Sequence, residues 1–242
     1  MKNEKWADAG VRLRQPILHS SFYILHSFQK MTITADQIGK KYRREWIFRG
    51  VDLTLAAGNS YTFVGPNGSG KSTLLQVLAG MQPPSAGKLT YSLDNGKVLA
   101  EEDWYRHIVL AAPYLELIEE LTLNELLAFH IQFKPLQPGI DADILMERMH
   151  LSHARNKEIR FFSSGMKQRV KLGLALFSDV RIVLLDEPTA NLDRQGATWY
   201  RDTVTELLTR PDCLLLLGSN QPDEYDFFGN ARANVIDVTQ WK

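Results

Sequence analysis

The segment Gly65-Pro-Asn-Gly-Ser-Gly-Lys-Ser72 has the composition and spacing of a phosphate-binding loop, because it matches G-x-x-x-x-G-K-[ST]. It lies between the apolar run 61–64 and a helical pattern at 72–79. Successive backbone N–H groups in such a loop turn inward around phosphate oxygens, and the N-terminus of the following helix adds a positive dipole. We therefore predict a nucleotide site formed by Gly65, Pro66, Asn67, Gly68, Ser69, Gly70, Lys71, Ser72 and Thr73.

Two acidic residues at the end of a later apolar run could complete the chemistry. Asp186 and Glu187 follow the run 182–185, and a parallel sheet would bring them to the edge that also holds the glycine-rich loop. Asp186 could then hold Mg²⁺ together with Ser72, while Lys71 contacts the β- and γ-phosphates. Glu187 could polarise a water that attacks the γ-phosphate. The predicted metal residues are thus Ser72 and Asp186, and Glu187 and Lys71 are predicted to be catalytic.

Two further motifs make this prediction more specific. Phe162-Ser-Ser-Gly-Met166 precedes the acidic pair, and Pro188-Thr-Ala-Asn-Leu-Asp193 follows it. With the glycine-rich loop and the acidic pair, this order resembles the ATP-binding subunits of ABC transporters, whose corresponding segments are Walker A, signature motif, Walker B and D-loop. The resemblance covers residues 32–240. It is specific because other P-loop classes lack the signature motif, and the short chain is most similar to exporter-type subunits.

The resemblance implies a head-to-tail dimer of ATP-binding domains, homodimeric or heterodimeric, that encloses two ATP molecules. Ser163 and the backbone of Gly165 would contact the γ-phosphate bound to the other subunit, at another helix N-terminus. Asp193 would cross the dimer interface. The implied cofactors are ATP and Mg²⁺.

Tyr42 stands where the family has the aromatic side chain that stacks on adenine. Trp46 and Phe48 are nearby alternatives, and Tyr42 could also be an ordinary strand aromatic. The basic residues beside it are more simply read as a solvated face than as a phosphate contact; they are Lys40, Lys41, Arg43 and Arg44.

The sequence departs from the family at two positions. The run 108–112 should be followed by a glutamine that touches Mg²⁺ and the attacking water, but Pro113 stands there. The run 214–217 should lead into a histidine that contacts the γ-phosphate, but Asn220 occupies that region. An asparagine amide can donate a hydrogen bond but cannot carry a proton's charge. With Asn220 included in the catalytic set, we predict slow hydrolysis that depends on a partner.

The segment 113–121 lies where the family couples to a separate transmembrane permease subunit. We expect a docking surface there, although an ordinary amphipathic connector is the alternative. The residues expected to be exposed in it are Tyr114, Leu115, Leu117 and Ile118, beside Glu116, Glu119 and Glu120.

The elements that must position these residues follow from the hydrophobic pattern. Short apolar runs at 61–64, 108–112, 182–185 and 214–217 fit strands that are covered on both faces, and therefore a mostly parallel sheet. Loose alternation at 32–42 and 47–57, and a hairpin signal at Asn95-Gly96 within 88–99, indicate an antiparallel β subdomain. Thr122-x-x-Glu125 predicts a capping box for a helix over 123–133, and a second helix is expected at 142–151. The predicted class is an α/β P-loop NTPase core with a helical insertion at about 113–161.

The composition of the chain excludes some classes of function. The chain has 28 Lys+Arg and 28 Asp+Glu, and this neutral balance argues against nucleic acid as a partner. One cysteine, Cys213, excludes an internal disulfide and suits a reducing compartment. No stretch approaches the roughly 18 apolar residues of a spanning helix. We therefore expect a cytoplasmic protein, peripheral on the membrane, whose ATP-binding domain covers 31–242 after an N-terminal extension, 1–30, that is poorly ordered or not native.

Two other functions stay open at this point. One is a soluble ABC protein of translation or DNA repair, although such proteins usually carry two ATP domains or long coiled-coil insertions, for which this chain has no room. The other is an ATP-gated ABC module that hydrolyses weakly or not at all, because the glutamine and the histidine are missing.

Overall fold

The computed structural model describes residues 30–229 and 233–242. The predicted extension therefore lies outside the described residues, apart from Lys30. The described strands form a three-stranded antiparallel sheet and a five-stranded parallel sheet, which confirms the predicted antiparallel β subdomain and mostly parallel core. The three-stranded sheet is antiparallel, has the order β2-β1-β4, and consists of β1 (Met31–Tyr42), β2 (Glu45–Ala56) and β4 (Ala86–Leu93).

The five-stranded sheet is parallel in every pairing and has the order β5-β6-β7-β3-β8. Its strands are β3 (Ser60–Val64), β5 (Ile108–Ala111), β6 (Ile182–Asp186), β7 (Leu214–Gly218) and β8 (Ala233–Asp237). All residues of β6 and β7 are buried, which is why they read as uninterrupted apolar runs. The edge strand β8 had no such run and was not predicted.

Helices cover both faces of the parallel sheet and fill the insertion. They are α1 (Lys71–Leu78), α2 (Leu123–Phe133), α3 (Ala142–Arg148), α4 (Ser164–Leu176) and α5 (Arg194–Leu207). The capping box predicted for α2 is confirmed, since the Thr122 side chain accepts from the Glu125 N–H and the Glu125 carboxylate accepts from the Thr122 N–H. The predicted helix over 142–151 is shorter, because the chain turns into the left-handed region at His150 (φ 59°).

Alternate residues of the central strands feed two separate cores. On β6, Val183 and Leu185 belong to the core beneath the helical insertion, while Ile182 and Leu184 belong to the core that contains α1 and the antiparallel sheet. This alternation follows from the two-residue period of a strand, which sends neighbouring side chains to opposite faces. The edge of the sheet is thus fixed between two apolar layers.

The hairpin signal at Asn95-Gly96 is only partly confirmed. A turn does form there, with Gly96 at φ 81°, but the predicted second strand is reduced to a single bridge between Ser92 and Val98. In the part of the chain that the structure describes, no helix is long and apolar enough to cross a membrane.

Candidate functional site

The site lies at the carboxyl edge of the parallel sheet, where three neighbouring strands end level with one another. Phe63 of β3 pairs with Gly218 of β7, and Gly218 pairs with Asp186 of β6. The glycine-rich loop leaves β3 at this edge and enters α1 at Lys71. The structure therefore brings the loop and the acidic pair together, as the sequence predicted.

Two glycines at this edge are required by close approach. Gly70 caps α1 at φ 104°, and a Cβ there would lie 2.8 Å from Cγ2 of Ile47. A Cβ on Gly218 would lie 2.8 Å from Oδ1 of Asp186 and 2.8 Å from Cδ1 of Leu75. Any side chain at either position would displace the loop or the carboxylate.

Lys71 is folded back over the loop that precedes it. Its side chain is almost fully buried, with 5% of the residue exposed. The ammonium donates to the carbonyl oxygens of Gly65 at 2.8 Å and Pro66 at 3.3 Å. These contacts hold a positive charge at the centre of the loop, where phosphate oxygens could replace the carbonyls as acceptors.

Asp186 has the properties expected of a metal ligand. It is 1% exposed, and its Oδ1 has no hydrogen-bond partner among the described residues. Burial raises its pKa; hydrogen bonding from Ser72 lowers it, and the negative charge of Glu187 raises it again. A buried carboxylate with a free oxygen is stabilised by a divalent cation.

The residues present fit Mg²⁺ held partly by a nucleotide. The hydroxyl of Ser72 and the carboxylate of Asp186 are hard oxygen donors, which suit this ion. Within residues 30–229 and 233–242 there is no group of three His, Cys, Asp or Glu side chains that could hold a metal. Phosphate oxygens and water would have to supply the other ligands, which is how Mg²⁺ is usually bound with nucleotides.

Glu187 follows Asp186 in an unusual backbone conformation, with φ 43°. Its N–H donates to the Gly218 carbonyl at 2.9 Å, which ties the turn to β7. The Glu187 residue lines an open pocket of about 300 Å³ beside the loop. The other residues that line this pocket are Ile47, Asn67, Gly68, Gly70, Lys71, Ser72 and Thr73.

Asn220 faces the glycine-rich loop from the end of β7. Its side-chain amide donates to Oδ1 of Asn67 at 3.0 Å. The adjacent Ser219 is fully buried and donates to the carboxylate of Glu224. Glu224 also accepts from the backbone N–H and the hydroxyl of Thr189, just after the Walker B acids. Glu224 therefore joins the segment after β6 to the segment after β7.

Tyr42 is not among the residues that line the pocket. Its ring is partly exposed, and its hydroxyl donates to Oε1 of Gln82 at 2.6 Å. Trp46 is also partly exposed, with the Lys41 ammonium 5.3 Å from its ring centre. Ile47, which the sequence analysis did not single out, is the apolar side chain beside the loop. The adenine contact of Tyr42 stays a prediction.

The signature and D-loop residues lie away from the pocket of their own chain. Ser163 is the N-cap of α4 and accepts from the Met166 N–H at 3.2 Å. Asp193 is the N-cap of α5 and accepts from the Gly196 N–H at 2.7 Å. A Cβ on Gly165 would lie 3.1 Å from the Asn191 carbonyl oxygen, so the two motifs pack against each other.

The segment after β5 is less exposed than the sequence analysis expected. Tyr114 and Ile118 are exposed, but Leu115 and Leu117 are partly buried, and Leu117 packs against the core beneath the insertion. Glu119 is exposed and accepts from the ammonium of Lys167 at 2.5 Å. The expected four-residue apolar surface is therefore reduced to two exposed side chains.

One residue outside the predicted set also touches the site region. The Lys242 ammonium donates to the Gly68 carbonyl at 3.3 Å. This position belongs to no sequence motif, so only the fold could reveal the contact.

Comparison with known proteins gives the class of protein. A profile of the ABC transporter family matches residues 48–190. The fold also matches a dimeric ATP-binding cassette in a post-hydrolysis state bound to ADP and Pi, with a TM-score of 0.71, 22% identity, and coverage of 86% of this chain and 95% of that one. The chain belongs to the ABC transporter family, which confirms the resemblance and the predicted P-loop fold.

Individual relatives cover most of this chain. The linearmycin resistance ATP-binding protein LnrL of Bacillus subtilis is 29% identical over 210 residues, which are 85% of this chain and 66% of that protein. The daunorubicin resistance ATP-binding protein DrrA3 of Streptomyces coeruleorubidus is 33% identical over 210 residues, which are 85% of this chain and 65% of that protein. The chain thus spans slightly less than two thirds of the length of these two curated relatives.

Proposed function

We propose that this protein binds ATP with Mg²⁺, dimerises around the nucleotide, and hydrolyses it to energise a separate transmembrane exporter subunit. The observation that carries the proposal is the pocket in which Lys71, Ser72 and Glu187 meet beside the free oxygen of Asp186. The names of the two relatives, both resistance ATP-binding proteins, support ATP as the nucleotide. Export as the task follows from the resemblance of the sequence to exporter-type subunits.

Each residue at the sheet edge has a separate role in this proposal. The Lys71 ammonium would exchange the carbonyls of Gly65 and Pro66 for the β- and γ-phosphate oxygens. Ser72 and Asp186 would hold Mg²⁺, which when bound offsets the charge that develops on the phosphates. Glu187 would accept a proton from the attacking water, since it lies at the mouth of the same pocket.

Dimerisation accounts for the motifs that lie outside the pocket. Ser163 is exposed at the N-terminus of α4, so the first N–H groups of that helix are available to an anion. Gly165 and Asp193 lie on the same surface. We infer that this surface covers the γ-phosphate held by a second ATP-binding domain, in a homodimer or a heterodimer.

The membrane partner is inferred from the family and from the exposed segment after β5. Tyr114 and Ile118 present partly exposed apolar side chains beside Glu119, and these would contribute to docking on the permease subunit. Such an assembly places the protein on the cytoplasmic face of the membrane. The neutral net charge gives no reason to expect a nucleic-acid partner.

The test is affinity purification of the full chain from membranes, identification of the co-purifying integral protein, and an ATPase assay of the complex. We expect one integral membrane protein and Mg²⁺-dependent phosphate release that Lys71→Ala abolishes. Lys88→Ala, which removes an exposed lysine of β4, is the matched control and should leave the rate unchanged. Purification without any integral protein, or phosphate release that survives Lys71→Ala, would contradict the proposal.

A second candidate is a nucleotide-gated module that dimerises around ATP with almost no hydrolysis. Two neutral positions favour it: Pro113 replaces the glutamine, and Asn220 is engaged with Asn67. Single-turnover measurement of phosphate release separates the two candidates. Release of a full equivalent of phosphate on a timescale of minutes supports the ATPase, whereas bound ATP that stays intact for hours supports the module.

A further inference from the structure

The turn that carries Glu187 is strained and has to be held by its surroundings. Glu187 has φ 43°, in the left-handed region that a residue with a Cβ rarely adopts. Asn191, four residues further on, also lies in this region, at φ 66°. Such conformations persist only where the neighbouring structure fixes them from several sides. The segment 187–191 therefore depends on contacts with other parts of the chain to keep Glu187 at the pocket.

Two contacts fix the peptide groups on either side of Glu187. Its own N–H donates to the Gly218 carbonyl at 2.9 Å. The buried side chain of Gln168, on α4, donates through Nε2 to the Pro188 carbonyl at 2.8 Å. Thr189, the next residue of the turn, is held in another way, because its polar groups are bonded to a side chain that comes from the segment after β7.

That side chain is the carboxylate of Glu224, which is 1% exposed. Its Oε1 accepts from the Thr189 N–H at 2.9 Å and also from the Thr189 hydroxyl. Its Oε2 accepts from the hydroxyl of Ser219, which is fully buried. A buried carboxylate is costly unless it is hydrogen-bonded, and bonds to a charged acceptor are stronger than neutral ones. These three donors therefore hold Glu224 and are held by it.

The contacts close a ring at the sheet edge, in which each step is either a peptide link or a hydrogen bond. In order, the ring passes through Glu187, Gly218, Ser219, Glu224, Thr189 and Pro188. The backbone of Glu224 is itself anchored, because the hydroxyl of Tyr200 on α5 donates to its carbonyl at 3.0 Å. The ring thus ties the turn at residue 187 to a fixed point outside the pocket.

We propose that Glu224 is a positioning residue for hydrolysis: its buried carboxylate fixes Thr189 and thereby the left-handed turn that presents Glu187 to the attacking water. This inference rests on the proposed function, because it presumes that Glu187 accepts a proton from that water. The pocket beside the glycine-rich loop is lined by Glu187 but not by Glu224 or Thr189. The contact should therefore matter for the rate of hydrolysis and not for the affinity for the nucleotide.

The experiment compares two substitutions at Thr189 in the full chain. Thr189→Val keeps the shape of the side chain and removes the hydroxyl that Glu224 accepts from, whereas Thr189→Ser keeps that hydroxyl. Single-turnover phosphate release from ATP with Mg²⁺ gives the rate, and the dissociation constant of fluorescent N-methylanthraniloyl-ATP gives the affinity. We expect the rate to fall on the order of tenfold in Thr189→Val, because a small displacement of a catalytic group has effects of this size or larger.

The rate of Thr189→Ser should stay close to that of the unmodified chain, and the affinity should be the same in all three proteins. Asp223→Asn, which changes the exposed carboxylate next to Glu224, is the matched control and should leave both quantities unchanged.

Substitutions of Glu224 test the other end of the contact. Glu224→Leu removes both acceptors and should lower the rate by a similar factor. Glu224→Gln keeps an oxygen for Thr189 and should restore most of the rate, since the Ser219 hydroxyl has the Gln221 carbonyl at 3.3 Å as another acceptor. Thr189→Val combined with Glu224→Leu should lose less than the product of the two single losses, because both act on one contact. Tryptophan fluorescence checks folding first, and if Glu224→Leu does not fold, the Thr189 pair decides.

Three results would overturn the inference. One is an equal rate in Thr189→Val and Thr189→Ser. Another is a loss of affinity as large as the loss of rate, which would show a general structural effect. The third is a double variant, folded, whose loss equals the full product.

The same assay separates this inference from the proposed function. If the unmodified chain releases no phosphate, or if release survives Glu187→Gln, the proposed function fails and the inference fails with it. If Glu187→Gln stops release but Thr189→Val behaves like Thr189→Ser, the inference alone fails.

Discussion

The glycine-rich loop and the segments that face it across the sheet edge hold their polar groups in different ways. On the loop side, a buried lysine and the N-terminus of α1 provide positive charge at fixed positions. On the facing side, Asn220 is neutral and donates to Asn67 of its own chain, and Pro113 stands where the family has a glutamine. The difference teaches that the nucleotide-binding side is built from backbone geometry and fixed positive charge, whereas the facing side has Glu187 as its one proposed catalytic charge and otherwise neutral groups.

The largest effect is expected from Glu187→Gln, which tests whether the facing side has a general base at all. The substitution keeps the size of the side chain and removes its ability to accept a proton. Phosphate release should fall on the order of 1,000-fold, as is usual when a general base is removed. The affinity for ATP, measured with fluorescent N-methylanthraniloyl-ATP, should equal that of the unmodified protein.

The control is Glu147→Gln in α3, which changes an exposed carboxylate far from the edge. Its rate should match that of the unmodified protein. Activity that survives Glu187→Gln would remove Glu187 from the catalytic set and leave the facing side without an assigned base.

The next largest effect is expected at Glu224, which joins the segment after β6 to the segment after β7. Glu224 is 1% exposed and accepts hydrogen bonds from Thr189 and Ser219. Glu224→Ala removes the buried carboxylate that Thr189 and Ser219 share as acceptor, so the free energy of unfolding should fall by about 3 kcal/mol. Urea denaturation measures the change.

Asp223→Ala removes the neighbouring carboxylate, which is exposed, and should change the free energy of unfolding by less than about 0.5 kcal/mol. Equal effects of the two substitutions would show that Glu224 does not join the two segments.

A smaller effect is expected from Asn220→His, which gives the facing side a group that can carry charge. The imidazole loses the contact with Asn67 and gains the ability to donate as a cation towards the γ-phosphate. We expect phosphate release to rise about tenfold, less than the full worth of an oxyanion donor because the surrounding loop is unchanged. Steady-state assays at saturating ATP measure it, with Asn220→Ala as the comparison. A rate unchanged by both substitutions would mean that position 220 does not limit hydrolysis.

The smallest effect concerns the stability of the fold at acid pH, which is measured apart from the activity of the site. Burial, together with the charge of Lys134, lowers the pKa of His130 from 6.5 to about 4, and its Nε2 lies 2.9 Å from the Ser178 hydroxyl. The folded chain therefore disfavours protonated His130, while the unfolded chain takes up that proton near pH 6.5. Stability should fall as the pH drops from 6.5 towards 4.

Urea midpoints at pH 7.5 and pH 5.0 measure this loss. It should be smaller in His130→Gln than in the unmodified protein, whereas His153→Gln, at an exposed position, should show the unmodified loss. If His130→Gln loses as much stability as His153→Gln between the two pH values, acid destabilises the fold through groups other than His130.

Local chemistry was enough to predict the loop side of this comparison. The residues from Gly65 to Ser72 form a continuous motif, and the capping box at Thr122 and Glu125 is equally local, so both could be recognised from neighbouring letters. The central strands were predictable as well, because burial on both faces makes β6 and β7 apolar throughout.

Contacts between distant segments could not be predicted in the same way. Leu115 and Leu117 were expected to be exposed on a docking surface, but both are partly buried, and Leu117 packs against the core beneath the insertion. Similarly, Glu224 looked like a loop residue, and its role appears only when Thr189 and Ser219 are brought to it. Strand β8 was missed because an edge strand with Asn234 and Asp237 lacks the apolar run of a central one.

The left-handed backbone of Glu187 has a consequence for how this position can change. At φ 43° a glutamate is held in a conformation that costs a residue with a side chain about 1 kcal/mol relative to glycine. A laboratory selection for heat resistance alone would therefore favour Glu187→Gly, and under the proposed function such proteins would lose hydrolysis as they gained stability. The proposed role of Glu187 as the general base would therefore explain why a glutamate stands at a turn where the backbone alone favours glycine.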